Sequence, residues 1–141
     1  MEIQHFFPDI SLTAQACPMW VPLIENDEHQ SPGAKYFIQQ PLEQLLQEEA
    51  KIDTLILGCT HYPLIQDQIQ AIVGDEITVV AQGSLVAKSL KDYLVRHPEI
   101  AEKCSQGGNC RYLTTESVEK FASSASIFLA EEIVAEHIDI F

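Results

Sequence analysis

Basic residues are scarce in this sequence. Eight Lys and Arg side chains stand against 21 Asp and Glu, which gives a net charge of −13. A field of this sign repels phosphate backbones and anionic lipid headgroups, so neither nucleic acid nor a membrane is expected as a partner. Long apolar runs are also missing, since residues 54–57 fall far short of the ~20 residues that span a bilayer. The first residues lack the basic start of a signal peptide, so we expect a cytoplasmic protein.

Cysteines are few and scattered. Four in 141 residues do not predict a disulfide scaffold. Cys104 and Cys110 flank a glycine-containing loop, but their C-x5-C spacing is not that of common structural zinc sites, and we predict no metal site. Cys17 is interpreted as core packing because no second chemical group adjoins it. Four histidines have no spaced partner and are interpreted as surface residues: His5, His29, His97 and His137.

Strand and helix patterns alternate along the chain. The pattern predicts strands over 10–17, 52–57, 77–81 and 111–114, with an extended piece over 133–141. It predicts helices over 37–49, from Pro63 to a stop at Gly74, over 84–95 and over 116–129. Residues 52–57 form an unbroken apolar run, which is typical of a strand buried on both faces of a parallel sheet. The sequence therefore predicts an α/β fold whose ligands bind beyond the carboxyl ends of the strands.

A cysteine, a threonine and a histidine follow that central strand directly, as Cys59, Thr60 and His61. A thiol next to a helix N-terminus and an imidazole ionises more readily than a free thiol, and it can then act as a base or as a nucleophile. The alternative is purely structural. In that case Cys59 is a small buried hydrophobe and the Thr-His pair caps the following helix.

A longer resemblance surrounds this motif. Residues 53–64, DTLILGCTHYPL, closely resemble the Cys-Thr-His-Tyr-Pro-Leu signature of glutamate racemases. Residues 16–25, ACPMWVPLIE, resemble the A-C-P-x-x-V-P-L-[VI]-E segment of the same family, and Gln82-Gly83 stands where the family often has Ser-Gly or Pro-Gly. The resemblance spans nearly the whole chain and identifies it as the C-terminal half of such a protein.

The resemblance implies a doubly wound parallel-sheet α/β fold that is part of the two-domain aspartate/glutamate racemase fold. Residues 1–82 would form most of the second domain, without its first βα unit. Residues 83–141 would form a return segment that completes the first domain. This segment is expected to expose apolar surface, so the expected partner is a second copy or the N-terminal half.

The implied activity is cofactor-independent interconversion of L- and D-glutamate for peptidoglycan precursor synthesis. Two cysteines would face the α-carbon from opposite sides, and Cys59 corresponds to the second. By the same resemblance His61 would assist the thiol, Glu25 would support His61, and Thr60 would contact the substrate. No metal, pyridoxal phosphate or nucleotide is implied.

The family's Asp-Ser-Gly loop and the A-C-N-T-like loop of its first cysteine do not occur in this sequence. The chain is therefore expected to be a fragment or a truncated product that is inactive alone. Two alternatives remain open: a silent fragment or interaction module of racemase descent, and a hydrolase with Cys59 as nucleophile and His61 as its base. The preference between glutamate and aspartate also stays open.

Overall fold

The computed structural model describes residues 2–140, which form two compact units: one runs up to Gly83 and the other begins at Ser84. The elements of the first unit, in order, are α1 (Glu2–Phe6), α2 (Trp20–Glu25), α3 (Ala34–Glu48), β1 (Thr54–Ile56), a 3₁₀ helix (Tyr62–Ile65), α4 (Gln66–Val73) and β2 (Thr78–Val80). Those that follow are α5 (Gln82–Arg96), α6 (Pro98–Ala101), β3 (Tyr112–Thr114), α7 (Val118–Leu129) and β4 (Ala135–His137). The unit boundary falls in the first turn of α5.

Strands β1 and β2 are parallel, with Leu55 opposite Val79, and α4 lies between them in sequence. This is the strand, helix, strand order that the sequence predicts. Helix α4 packs against β2 and α3. Its Ile69 is fully buried, and Gly74 ends it at a φ of 79°, a backbone conformation that favours glycine. The core of this unit therefore lies between one face of the sheet and helices α3 and α4.

The outer edge of β2 is paired by a side chain. The Gln70 amide on α4 donates to the Ile77 carbonyl at 2.9 Å and accepts from the Val79 N–H at 3.3 Å. The neighbouring Thr78 N–H and Val80 carbonyl point the other way and bond to Asp53 and Leu57. Gln70 thus takes the place of a third strand at this edge and satisfies two backbone groups that a sheet edge leaves open.

The prediction that residues 52–57 are buried on both faces is wrong. Leu55 and Leu57 are buried, whereas Thr54 is exposed and Ile56 is 54% exposed. The described helices cover only the face on which Leu55 and Leu57 lie. Apolar content alone did not reveal this, because Ile56 is as hydrophobic as its buried neighbours.

Helix α3 confirms the predicted helix and begins three residues earlier, at Ala34. Its buried stripe includes Ile38, Leu42 and Leu45. Pro41 lies inside the helix and has no N–H to donate to the carbonyl of Phe37. The indole Nε1–H of Trp20 donates to that carbonyl instead, at 3.0 Å. A side chain of α2 thereby repairs a break in the hydrogen bonding of α3.

Two further predictions are wrong in this unit. Residues 10–17 form no strand, because none of the described residues pairs with them. His29 is not a surface residue but is only 9% exposed, and its Nδ1 is buried, has no hydrogen-bond partner and lies 3.9 Å from Asp27 Oδ1. Its burial follows from the fold of the loop, where Gln68 of α4 donates to the His29 carbonyl at 3.0 Å.

The second unit repeats the strand, helix, strand order. Strands β3 and β4 are parallel, with Leu113 opposite Glu136, and α7 connects them and packs against β4. Ser117 caps α7 by accepting from the Lys120 N–H. The predicted strand and helix are confirmed with slightly shorter bounds. Phe141, the last residue of the predicted extended piece, lies outside the described residues.

Helix α5 confirms the predicted helix over 84–95 and has no buried residue. Its apolar side chains lie in the open, with Leu90 54% and Val95 76% exposed. They line a surface groove of about 640 Å³ that continues along Pro98 and Ala101 of α6. The expected exposed apolar surface in this segment is therefore present. None of the helices within residues 2–140 is long and apolar enough to cross a membrane.

Candidate active site

The site is built on the loop that leaves β1. Cys59 lies just beyond the carboxyl end of that strand, and the Tyr62 N–H donates to the Cys59 carbonyl at 3.3 Å to close the turn. Pro63 stands in the first turn of the 3₁₀ helix, where its missing N–H costs nothing. The thiol therefore lies at the end of the parallel sheet where α/β folds bind ligands.

Two contacts link Cys59, His61 and Glu25 in series. The Sγ atom of Cys59 lies 3.7 Å from His61 Nδ1, and His61 Nε2 lies 3.3 Å from Glu25 Oε1. An ionised carboxylate only accepts hydrogen bonds, so the proton of a neutral His61 belongs on Nε2. Nδ1 then presents a lone pair to the thiol. In this arrangement His61 can take the thiol proton while Glu25 stabilises the resulting imidazolium.

The predicted site residues are thus brought together, although Glu25 comes from α2, far away in sequence. Thr60 is exposed, and its Oγ1 lies 3.5 Å from His61 Nδ1, beside the thiol. His61 precedes the 3₁₀ helix but makes no capping hydrogen bond with its side chain. The structural alternative, in which this histidine caps the helix, is therefore not observed. The His61 side chain is 31% exposed and that of Glu25 58% exposed, so the site is open to solvent.

Cys17 lies close to this site but in a different environment. It is half-buried, not in the core, and its Sγ contacts the Gln15 carbonyl at 3.7 Å. Burial raises the pKa of the Cys17 thiol to about 11, which keeps it protonated at neutral pH. The pKa of Tyr62 is raised as well, first by burial and then by the nearby Cys17 and Cys59 thiols.

Sequence reasoning missed two residues that border the site, Trp20 and Tyr62. The rings of these two residues meet edge to face, with centroids 4.8 Å apart. The Tyr62 hydroxyl also donates to the Cys17 carbonyl at 3.4 Å. Both residues lie within the segments that carry the family resemblance, which was the available signal. Their mutual contact is long-range and is not visible in either segment alone.

Among residues 2–140, no three His, Cys, Asp or Glu side chains are grouped so that they could hold a metal ion. Cys104 and Cys110 are both exposed free thiols.

No family model matches the chain. It is 34% identical over 139 residues to the glutamate racemase of Streptococcus uberis, which covers 99% of this chain and 52% of that protein. It is 35% identical over 138 residues to the glutamate racemase of Lactiplantibacillus plantarum, covering 94% of this chain and 48% of that protein. The chain therefore spans about half the length of the curated relatives that it matches.

Solved structures give the same result. A glutamate racemase isoform of Bacillus anthracis superposes with a TM-score of 0.82 at 28% identity, over 98% of this chain and 50% of that one. The fold is shared with the Francisella tularensis glutamate racemase, solved with D-glutamate, at a TM-score of 0.78, 24% identity and coverage of 99% and 50%. The named relatives and solved structures are amino-acid racemases, a class of isomerases. Within that class the chain belongs to the glutamate racemase family and matches the C-terminal half of its members.

Proposed function

We propose that this chain is the half of a glutamate racemase that carries one of the two catalytic thiols. The observation that carries the proposal is the series of contacts from Cys59 Sγ through His61 to Glu25 at the carboxyl end of β1. Proton transfer at an α-carbon needs a base of this kind, positioned by its neighbours and not buried beyond reach.

The proposed reaction is a 1,1-proton transfer without cofactor. The Cys59 thiolate removes the α-proton of one enantiomer, and a thiol on the opposite side of the α-carbon returns a proton to the other face. In the reverse direction Cys59 gives the proton back. His61 accepts the Cys59 proton before the reaction, and Glu25 stabilises the imidazolium charge. Hydrogen-bond donors around the substrate carboxylate stabilise the carbanion that forms in between.

Glutamate is the proposed substrate, with peptidoglycan precursor synthesis in the cytoplasm as its use. The names of the relatives support glutamate, and the Francisella structure was solved with D-glutamate. Thr60, exposed beside Cys59, is the proposed substrate contact on this side of the α-carbon. The acidic surface of the chain would not attract an anionic substrate, so binding depends on local donors around the thiol.

The opposite thiol has to come from the other half of the enzyme, on the same polypeptide or a separate one. Two features support this requirement. The chain spans about half the length of its relatives, and the apolar side chains of α5 lie exposed. A water-filled, half-built pocket loses the strong electrostatic stabilisation that a closed one supplies. We therefore propose that the 141-residue chain does not racemise glutamate by itself.

The test compares the 141-residue chain with a fusion in which it replaces the matching half of the Streptococcus uberis relative. D-glutamate formation from L-glutamate is followed by circular dichroism. The proposal expects turnover by the fusion and none by the isolated chain. A folded fusion without turnover, or robust turnover by the isolated chain, would contradict it.

A cysteine-nucleophile hydrolase is the second candidate, and the 3.7 Å contact between Cys59 and His61 is the observation that favours it. Such an enzyme passes through a covalent acyl intermediate on the thiol. Mass spectrometry after incubation with activated esters would detect an acylated Cys59. Because the reactive thiol of a racemase could be acylated once by the same ester, the hydrolase candidate also requires release of the acyl group with repeated turnover, which a racemase would not show.

A further inference from the structure

The contact between Glu25 and His61 is too exposed to be maintained by its own charges. The Glu25 side chain is 58% exposed, so water competes for its oxygens. A half-exposed ion pair of this kind contributes little by itself, because it is screened and because both side chains lose rotamer freedom. The 3.3 Å distance between Glu25 Oε1 and His61 Nε2 must therefore be set by buried neighbours.

Trp20 is the buried residue that links the two segments concerned. It begins α2, the helix that ends at Glu25, and it is only 2% exposed. Its indole donates to the Phe37 carbonyl, which lacks the usual i+4 helical donor because residue 41 is a proline. This bond ties α2 to α3 at a carbonyl that lacks its usual i+4 helical donor.

The second contact of Trp20 is with the loop that carries Cys59 and His61. The Trp20 ring meets the Tyr62 ring edge to face at 4.8 Å, and Tyr62 directly follows His61. Aromatic pairs at this distance and angle are favourable beyond the area they bury. Tyr62 also donates to the Cys17 carbonyl, which lies in the segment that leads into α2. Trp20 thus connects α3, the helix of Glu25 and the loop of Cys59 and His61.

We propose that Trp20 is a positioning residue of the active site, which holds Glu25 against His61 by anchoring α2 to both the Phe37 carbonyl and the Tyr62 ring. This inference rests on the proposed function of the Cys59, His61 and Glu25 series. In this proposal Trp20 takes no part in the proton transfer and acts by holding Glu25 against His61. Its removal should therefore have the same chemical effect as removal of the Glu25 charge.

The experiment is a double-mutant cycle on the 141-residue chain, with Trp20→Phe, Glu25→Gln and the two combined. One readout is the rate of Cys59 alkylation by iodoacetamide at neutral pH, resolved by peptide mass spectrometry. The other is the long-range ¹H–¹⁵N spectrum of the His61 ring, which reports the tautomer. Ile38→Val on α3 is the matched control, because it removes one buried methyl group from α3 and leaves in place the groups that form the indole bond and the ring contact.

Trp20→Phe should slow Cys59 alkylation by a few-fold, about as much as Glu25→Gln, since a half-exposed pair supplies at most about fivefold. It should slow it no further in the Glu25→Gln background, and the His61 signals should shift in the same direction in both single variants. Ile38→Val should change neither readout. Should Trp20→Phe fail to fold, Tyr62→Leu removes the ring contact, keeps the indole bond and has the same expected effect.

The outcomes separate the inference from the proposed function. If Glu25→Gln slows alkylation but Trp20→Phe does not, or if the two effects simply add, the positioning role is wrong and the series stands. If Glu25→Gln itself changes neither the Cys59 rate nor the His61 spectrum, the series fails, and the inference fails with it.

Discussion

The Nε2 atom of His61 lies 3.3 Å from Glu25 Oε1, and this contact determines which ring nitrogen faces Cys59. Because the carboxylate only accepts hydrogen bonds, Nδ1 is left as the acceptor, 3.7 Å from the thiol sulfur. Without Glu25 either tautomer is available, and His61 cannot accept the thiol proton while its own proton sits on Nδ1. Glu25, which is remote in sequence, thus determines whether His61 can act as a base toward Cys59.

Cys59 should react with iodoacetamide at neutral pH at least about tenfold faster than Cys17, because the thiolate is the nucleophile. Burial raises the pKa of Cys17 to about 11, whereas Cys59 lies in an open loop next to an imidazole. Peptide mapping after brief labelling measures both rates in one sample. Preferential labelling of Cys17 would contradict the assignment of Cys59 as the reactive thiol.

Stability should fall at alkaline pH because of Cys17. Its folded-state pKa of about 11 lies above the ordinary value of 9.0, so the unfolded thiol ionises first as the pH rises. The contribution is fully present below about pH 9 and is lost as the pH approaches 11. Urea titrations between pH 8 and 11 should show a shallower decline for Cys17→Ser than for the unchanged chain. The remaining slope is expected from Tyr62, whose pKa is also raised by burial. If Cys17→Ser and the unchanged chain lose stability equally steeply with rising pH, ionisation of Cys17 does not cause the alkaline loss.

Trp20→Phe should lower the free energy of unfolding by more in the unchanged chain than in Pro41→Ala. In the unchanged chain the variant leaves the Phe37 carbonyl without the indole donor, which costs about 1–3 kcal/mol in addition to the lost packing. In Pro41→Ala the new N–H of residue 41 can donate to the same carbonyl, so part of this cost disappears. Identical costs in both backgrounds, measured by urea denaturation, would show that the indole bond does not replace the missing helical one.

Gln70→Met should destabilise the first unit by about 1–2 kcal/mol, because it leaves two backbone groups at the edge of β2 without partners. Gln44→Met on the exposed side of α3 is the matched control and should stay within about 0.5 kcal/mol of the unchanged chain. Hydrogen exchange at the Val79 amide gives a local readout. Unchanged protection there in Gln70→Met would contradict the edge-pairing role.

The sequence predicted the residues of the candidate site better than it predicted the structure around them. Cys59 and His61 are two residues apart in sequence, and their place between a strand and a helix follows from local patterns. Glu25 was reached only through the family resemblance, since no local rule joins α2 to that loop. The partner of Trp20 was not predictable, because it exists only where Pro41 frees a carbonyl in the folded helix.

The three wrong predictions about the fold share a cause. Residues 10–17 have a strand-like pattern, but a strand also needs a partner, which local sequence does not supply. Ile56 lies on a sheet face that the described helices leave uncovered, so its apolar side chain remains 54% exposed. His29 is buried in a loop whose backbone accepts a hydrogen bond from Gln68 of α4. In each case tertiary contacts decided the outcome, and periodicity within one segment could not reveal them.

The most direct test of the central claim removes the proposed base from an otherwise complete enzyme. In the fusion with the matching half of the Streptococcus uberis relative, Cys59→Ala is compared with Cys104→Ala, which removes an exposed loop thiol. The measurement is D-glutamate formation together with uptake of solvent deuterium at the α-carbon. Cys59→Ala should abolish racemisation, and Cys104→Ala should leave it unchanged. Undiminished racemisation by the Cys59→Ala fusion would show that this thiol is not a catalytic base.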